Sequence, residues 1–463
     1  MRHIGLEPTL REEPDPKSGA STNSANAAFL FENQPQRYNH FFNLQKMSDT
    51  FYDILPNGIQ LVHRFSASPV AYIGIMAGAG TRHETTEENG MAHYIEHCVF
   101  KGCRLHPASR TLTPRQIIQR VEGVGGEINA YTTKEETVFY AAAPANYFPR
   151  AFRLLASLVF RPDFPKKETD KEIRVIIDEI ESYNDSPSEL IYDDFESLVF
   201  QGHPLSMPIL GTRKTLKHIS RSAVYPVKWM HSHYLPERIV VFSQGNLPFP
   251  KIKKTVMQTL DEVDFSVYNN SASPTTSPAP SVAATAAFRK HTHQTHIMLG
   301  ARAYPLGHPQ QLTAYLINHI LGGGMASRLN LSLREKRGLV YTVESQYTPL
   351  SDTGYWSIYF ASESKDKEEC TDLCHKELQL LREKRLSSLQ MHNILTQLRG
   401  QMAIAAENQE NNVLAMGKQM LYFHEAPSWK DTFSHIQQIT PQQVQDTANR
   451  LFQEDSLCQL SYE

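Results

Sequence analysis

Two histidines and a glutamate at helical spacing are the residues of this sequence best suited to chemistry. Residues 93–97 read His-Tyr-Ile-Glu-His, the inverse of the H-E-x-x-H order that holds zinc in many enzymes. Positions four apart share one face of a helix, so His93 and His97 can point at one metal ion. Glu96 lies at the edge of that face, where it can hold and deprotonate a water molecule beside the metal. Because so short a pattern can arise by chance in a chain with 20 histidines, its surroundings must support it.

A third ligand is needed, since two histidines leave a zinc site one protein ligand short. In residues 172–181, four isoleucines recur at i, i+3, i+4 and i+7, which predicts an amphipathic helix with a buried face. Glu172 and Glu179 both project from one stripe beside that face. A carboxylate there is either a metal ligand or an ordinary glutamate at the edge of the core, and the histidine pair favours the ligand.

The composition is that of an ordinary globular protein. The chain has 463 residues, of which 40% are hydrophobic and 21% charged, so it has room for two or more domains. A formal net charge of -3 is unlike that of a nucleic-acid-binding protein, and no run of 18 apolar residues predicts a membrane span.

The five cysteines are odd in number and irregular in spacing, which favours free thiols in a reducing compartment. Cys98 and Cys103, with neighbouring histidines, are an alternative second metal site. No further cysteine pair is placed to complete such a site, which disfavours it.

The first 46 residues are polar and lack the apolar core of a signal peptide, and their acidic residues are untypical of an organelle transit peptide. We predict a disordered N-terminal extension over residues 1–46 and a cytoplasmic location. The folded pattern starts just after Met47, so the native chain can begin at either Met1 or Met47.

A stretch rich in proline, serine, threonine and alanine, without charge, spans residues 269–287 and is typical of an exposed linker. The chain is therefore divided into a catalytic, zinc-binding domain at residues 47–265, a linker at 266–287 and a second domain at 288–463.

The two halves resemble each other at one constant offset without gaps. This offset places the Ile-Met-x-Gly-Ala of residues 75–79 over that of residues 297–301. It also places Tyr315 and Asn318 on the first histidine and the glutamate of the motif. The register favours duplication over the chance likeness of two strand-turn-helix units, and predicts a second half that lost the metal site.

Local patterns predict a mixed α/β (α+β) fold. Residues 70–76 form a short apolar run before a glycine-rich turn, as in a buried strand. Glu87 and Glu88 precede the motif, where acidic residues of a first helical turn are expected. Residues 125–132 and 137–143 predict a turn followed by a hairpin of two strands.

Together these stretches resemble the M16 family of zinc metallopeptidases, from about residue 50 to the C-terminus. His93, Glu96 and His97 match the inverted zinc motif of this inverzincin family. The resemblance assigns Glu179 as the distal zinc ligand. It also assigns Glu172 as a second glutamate that assists catalysis beside the metal.

Further elements of the resemblance concern the substrate. Arg334 and Tyr341 match an R-x6-Y element of the family, whose side chains reach across to the active site of the first half. Asn129, Ala130 and Thr132 match its N-A-x-T strand, to which a substrate peptide adds as an extra strand through backbone hydrogen bonds.

The resemblance implies two similar domains, each a mostly antiparallel sheet flanked by helices, that enclose a peptide chamber. It implies a zinc-dependent endopeptidase with one Zn²⁺ per chain, acting on unfolded or short peptides, in which Tyr341 helps to stabilise the oxyanion. Peptide substrates and a second copy of the chain are the expected partners, with no nucleic acid and no membrane. The alternatives are a catalytic subunit that needs a metal-free partner, and a non-catalytic structural protein.

One histidine cluster has no role in this scheme. His291, His293 and His296 predict either a weak metal site or polar residues at the start of a strand. Neither the physiological substrate nor the cleavage preference follows from the sequence.

Overall fold

The structure of this chain is a computed structural model. It describes residues 49–269, 277–278, 282–290 and 292–463. The predicted extension and Met47 lie outside the described residues.

The first half of the chain builds a six-stranded sheet. Its strands are β1 Thr50–Ile54, β2 Gln60–Phe65, β3 Val70–Ala77, β4 Glu127–Thr132, β5 Thr137–Pro144 and β6 Ile239–Gly245. They lie in the order β1-β2-β6-β3-β5-β4. The β2–β6 pair is parallel and the other neighbours are antiparallel. The predicted buried strand and the predicted hairpin are both present, as β3 and as β4 with β5.

Helices flank this sheet, and two of them carry the motif residues. The helices are α1 Met91–Val99, α2 Pro114–Glu122, α3 Phe148–Phe160, α4 Lys166–Asn184, α5 Pro187–Val199, α6 Arg213–Ile219, α7 Val224–His233 and α8 Phe249–Leu260. The histidine pair lies on α1. Both glutamates of the predicted amphipathic helix lie on α4.

The second half repeats this architecture around a five-stranded sheet. Its strands are β7 Ala284–Phe288, β8 Thr295–Arg302, β9 Val340–Pro349, β10 Gly354–Ser362 and β11 Cys458–Tyr462. Their order is β7-β11-β8-β10-β9, and only the β7–β11 pair is parallel. This matches β2-β6-β3-β5-β4 strand for strand, so the expectation of two similar domains is confirmed.

Helices flank the second sheet as well. They are α9 Gln311–Gly322, α10 Lys367–Glu383, α11 Ser388–Ala405, α12 Gln409–Phe423, α13 Trp429–Ile436 and α14 Pro441–Leu451. A π-helical segment spans Asn330–Glu335.

The constant offset between the halves relates whole helices as well as short motifs. The first residue of α4, Lys166, corresponds to the first residue of α11, Ser388. Likewise the first residue of α5, Pro187, corresponds to the first residue of α12, Gln409. Both pairs are separated by the same distance along the chain as the two Ile-Met-x-Gly-Ala stretches, so the net chain length between these elements is the same in both halves.

The predicted linker at residues 266–287 is shorter in the structure. At its C-terminal end, β7 begins at Ala284 and pairs with β11, so the last residues of the stretch belong to the second sheet. At its N-terminal end, the Tyr268 ring packs against Phe160. Residues 270–276 and 279–281 lie outside the described residues.

Each sheet is covered on one face by helices of its own half and on the other by a helix of the other half. On the first sheet, Val413, Met416 and Met420 of α12 pack against Val240 and Phe242. Burying each such side chain stabilises the fold by about 1.5–3 kcal/mol. On the second sheet, α5 occupies the equivalent place, and the apolar side chains packed there include Ile191, Phe195, Met298, Tyr359 and Leu460.

Two glycines allow α12 of the second half to pack on the first sheet. A Cβ atom on Gly74 of β3 would lie 2.1 Å from the Phe242 ring, and one on Gly417 of α12 would lie 2.6 Å from it. The ring therefore fills the space that both glycines leave, and α12 can approach the sheet closely. This packing holds the two halves together behind the site.

Candidate metal centre

The helix that carries the histidine motif begins at a glycine and is capped from outside the helix. Gly90 adopts the left-handed conformation (φ 91°) that favours glycine, and α1 starts at Met91. Glu84 accepts hydrogen bonds from the backbone N–H groups of Gly90 and Ala92, both at 2.8 Å. These groups would otherwise lack partners at the helix start, so Glu84 fixes the position of α1.

The expectation of acidic residues in the first turn of α1 is wrong. The first turn contains none, because the helix starts after the acidic pair. Glu84, which lies before the helix in the chain, caps this helix end instead. The spacing of residues in the sequence did not predict this contact.

The structure brings together His93 and His97 of α1 and Glu179 of α4. Their ligand atoms all lie within 4.8 Å of one another. Glu179 Oε2 lies 3.9 Å from His93 Nε2 and 3.6 Å from His97 Nε2. Ligand atoms of a tetrahedral zinc ion are separated by about 3.4 Å, given metal–ligand distances near 2.1 Å. The donor types and their spacing therefore fit a zinc ion.

His93 is held in the form that binds metal. Burial and then the neighbouring His97 lower the pKa of His93 to about 3. The ring is therefore neutral at physiological pH, and a neutral imidazole can donate a lone pair to a cation. Its Nδ1 atom is buried and has no hydrogen-bond partner among the described residues.

His97 is oriented by a chain of charged groups. Its Nδ1 lies 2.9 Å from Glu172 Oε1, and Lys101 Nζ lies 2.8 Å from Glu172 Oε2. Burial favours a protonated Glu172, but the contacts with His97 and Lys101 outweigh burial and lower its pKa. An ionised Glu172 accepts the Nδ1 proton of His97, which leaves Nε2 facing Glu179. Sequence reasoning missed Lys101.

Glu96 belongs to α1, and its side chain reaches the edge strand of the first sheet. Burial is the main cause of the raised pKa of its carboxyl group. Thr132 Oγ1 donates a hydrogen bond of 2.7 Å to Glu96 Oε2. A buried carboxylate with a raised pKa is suited to accept and return a proton.

Three of the five residues predicted to bind substrate lie on β4, which is an edge strand of the first sheet. Asn129, Ala130 and Thr132 pair with β5 on one side. The other edge of β4 has no strand neighbour among the described residues. An open strand edge next to Glu96 can accept an extended peptide.

Arg334 and Tyr341 lie near each other and make no hydrogen bond or ion pair to the metal cluster within the described residues. Arg334 belongs to the π-helical segment and Tyr341 is on β9. The guanidinium lies 5.6 Å from the centre of the Tyr341 ring, and Tyr341 is 78% exposed. The structure thus leaves the Tyr341 side chain accessible to a ligand.

The other candidate metal sites are not assembled in the described part of the chain, where His93, His97 and Glu179 are the one such group. All five cysteines are buried, and none of them forms a disulfide. His291 lies outside the described residues, and His296 contacts the Tyr359 hydroxyl at 2.9 Å. None of the described helices has the length and apolarity needed to cross a membrane.

Two family profiles match the sequence. Residues 62–213 match the profile described as Insulinase (Peptidase family M16), which covers the histidine pair and both glutamates. Residues 227–398 match the profile described as Peptidase M16 inactive domain.

Relatives with similar sequences are named zinc proteases. An uncharacterized zinc protease of Rickettsia bellii is 32% identical over 382 residues, which is 82% of this chain and 89% of that protein. The uncharacterized zinc protease YmxG of Bacillus subtilis is 29% identical over 402 residues, which is 86% of this chain and 95% of that protein.

Solved structures share the fold. The crystal structure of a protease from Helicobacter pylori superimposes with a TM-score of 0.79 at 18% identity, covering 89% of this chain and 99% of that one. A peptidase M16 inactive domain from Pseudomonas fluorescens gives a TM-score of 0.77 at 18% identity, covering 90% and 98%. Because family profiles match both halves and the Rickettsia relative matches most of the chain, the chain belongs to peptidase family M16.

Proposed function

We propose that this protein is a zinc-dependent endopeptidase that cleaves unfolded or short peptides and holds one zinc ion per chain. The observation that carries the proposal is the convergence of His93, His97 and Glu179 within 4.8 Å, with Glu96 beside them. These three residues would hold a zinc ion, which would supply a lowered pKa for a water molecule and polarisation of a carbonyl group.

The residues of the chain perform the proton transfers. Glu96 accepts a proton from the attacking water and passes it to the leaving amine, a role that its raised pKa supports. Thr132 fixes the Glu96 carboxylate by its hydrogen bond. Glu172 and Lys101 orient His97 through the contacts described above.

The edge of β4 is the proposed binding place for the substrate backbone. Asn129, Ala130 and Thr132 belong to a strand that pairs on one side only among the described residues. Recognition through backbone hydrogen bonds depends little on side chains, so it suits peptides of varied sequence. Arg334 positions the peptide and Tyr341 stabilises the oxyanion once substrate lies between the two halves, in the proposed chamber.

We further propose that the active form is a homodimer in the cytoplasm. The five buried thiols, which form no disulfide in the described part of the chain, fit a reducing compartment. The presence of Arg334 and Tyr341 in the same chain as the metal ligands favours an enzyme that needs no metal-free partner. Native mass measured on the purified, active protein separates the homodimer from a heterodimer.

Cleavage of a quenched fluorescent peptide library, with and without a chelator, tests the proposal. We expect chelator-sensitive cleavage that is restored by zinc and is lost in Glu96→Gln. Cleavage that survives both the chelator and the substitution would contradict the proposal.

A further inference from the structure

The turn between β4 and β5 contains three consecutive charged residues that are all buried. Lys134, Glu135 and Glu136 are 6%, 4% and 2% exposed, although charged residues in hairpin turns are ordinarily solvated. We call residues 134–136 the charged turn. Burying charges is costly unless each is paired, so their partners reveal what the turn does.

Glu135 joins the first half to the turn between β9 and β10 of the second half. Its Oε1 lies 2.6 Å from Arg82 Nη1, and its carboxylate accepts hydrogen bonds from the backbone N–H and hydroxyl of Ser351 at 2.9 and 2.6 Å. Arg82 also binds Asp352 through both of its terminal nitrogens, at 2.6 and 2.5 Å. Two equivalent hairpin turns, one from each half, therefore meet at one arginine.

The flanking charges bind helices on either side. Glu136 accepts a hydrogen bond of 2.7 Å from the Tyr422 hydroxyl and pairs with Lys418 at 2.7 Å, both on α12 of the second half. Lys134 pairs with Glu196 of α5 at 3.2 Å. The charged turn thus contacts both helices that cross between the halves.

The charged turn also begins immediately after the strand that faces the metal centre. Thr132, the last residue of β4, donates its hydroxyl proton to Glu96, and Thr133 separates it from the charged turn. Tyr341 lies on β9, the strand that leads into the turn bound by Glu135. The buried carboxylate of Glu135 is therefore linked both to the hairpin that carries Thr132 and to the hairpin that carries Tyr341.

We propose that Glu135 is a positioning residue for the peptidase reaction. It holds the two hairpins in register, so that Thr132 keeps Glu96 in place and the second half faces the edge of β4. This inference rests on the proposed function. Removing the charge from Glu135 leaves Arg82 paired with Asp352, so the change loosens the link between the halves without stranding the arginine.

A double-mutant cycle tests the route through Thr132. Glu135→Gln is expected to lower kcat roughly 10- to 100-fold, the range for a small displacement of a catalytic group, with KM changed by less than about twofold. Both residues act on Glu96. The fold reduction in kcat of the double variant Glu135→Gln/Thr132→Val should therefore be smaller than the product of the two single reductions. Tyr462→Phe is the matched control, because it removes a bond of 2.6 Å to Asp194 that joins the halves away from β4.

Hydrogen exchange of the zinc-loaded protein tests the inference without any turnover. We expect Glu135→Gln to raise amide exchange in β4 and in residues 350–353, and Tyr462→Phe to leave both unchanged. Unchanged exchange in β4, or kcat effects that multiply fully, would overturn the inference. A wild-type protein without chelator-sensitive turnover would refute the proposed function, while the exchange result still decides whether Glu135 holds β4.

Discussion

The two halves of the molecule present the same scaffold with different side chains. At the constant offset between the halves, the proposed metal-binding positions of α1 and α4 correspond to Tyr315, His319 and Gln401 on α9 and α11. One histidine remains, and the other two positions hold a phenol and an amide. The fold supplies the arrangement in both halves, but the donor atoms that suit zinc are present only in the first.

The likeness extends to the hydrogen bond that fixes Glu96, the proposed catalytic glutamate. In the first half, Thr132 Oγ1 donates to Glu96 Oε2 at 2.7 Å. In the second half, Ser345 Oγ donates to Asn318 Oδ1 at the same distance of 2.7 Å. The strand hydroxyl is thus present in both halves, while the group it binds is a carboxylate in one and an amide in the other.

The remaining histidine of the second half has lost its partners. Burial lowers the pKa of His319 to about 4, and its Nε2 atom is buried without a hydrogen-bond partner among the described residues. Gln401 donates its amide to the Gly323 carbonyl at 2.8 Å. A single neutral histidine, with an amide in place of the carboxylate, does not form a metal site, which agrees with the inactive-domain profile matched there.

The largest expected effect is on kcat, and it distinguishes Glu96 from Asn318, its counterpart in the second half. Glu96→Gln keeps the shape of the side chain but cannot accept a proton, so kcat should fall by about 10²- to 10⁴-fold with zinc still bound. Asn318→Ala should leave kcat unchanged. Steady-state kinetics on one fluorescent peptide, with zinc content measured in parallel, makes the comparison, and turnover retained by Glu96→Gln would contradict the assigned role.

The next effect concerns metal affinity. Glu172→Gln removes the charge that orients His97, and loss of such a partner lowers zinc affinity by about 10- to 100-fold. Glu168→Gln, on the same helix but paired with Lys171 at the surface, should have no effect. Competition with a chromogenic chelator measures both affinities. Equal affinities in the two variants would show that Glu172 does not support the site.

An effect of similar size, on kcat, is expected from the strand hydroxyls. Thr132→Val removes a hydrogen bond to a charged group, which contributes about 1.5–3 kcal/mol, so kcat should fall roughly 10- to 100-fold. Ser345→Ala removes the equivalent bond from the second half and should leave kcat unchanged. If both variants lost activity equally, the hydroxyls would have a general structural role instead.

A last effect, which leaves the reaction itself unchanged, is the pH dependence of stability that Glu84 contributes. Burial raises the pKa of Glu84 to about 8, although three donors lower it. Between pH 4.5 and about 8, the folded state therefore keeps a proton on Glu84 that the unfolded state, in which this pKa is 4.5, has released. This contribution to stability is present below pH 4.5 and is lost as the pH rises through about 8.

Urea unfolding between pH 4.5 and 8 tests this sign. The free energy of unfolding of the wild type should fall with rising pH more steeply than that of Glu84→Gln, which cannot titrate. Identical slopes would show that Glu84 has no raised pKa in the folded protein.

Much of the site was predictable because its signals are local. Helical periodicity placed His93 and His97 on one face and both glutamates of α4 on another, and alternation with turn residues predicted the β4–β5 hairpin. The ungapped offset predicted the repeated architecture.

What the sequence did not reveal depends on contacts between distant segments. Nothing in the periodicity of α5 or α12 indicates that each covers the sheet of the other half. The charged turn is typical of an exposed loop, and only its partners Arg82, Glu196 and Lys418 explain its burial. The Glu84 cap likewise depends on a backbone path that the local sequence does not specify.

The most direct test of the account is the zinc content of two matched variants. Native mass spectrometry of the zinc-loaded protein should give one zinc ion per chain for the wild type and for His319→Ala, and none for His97→Ala. Zinc retained by His97→Ala, or lost from His319→Ala, would contradict the claim that the first half alone holds the metal.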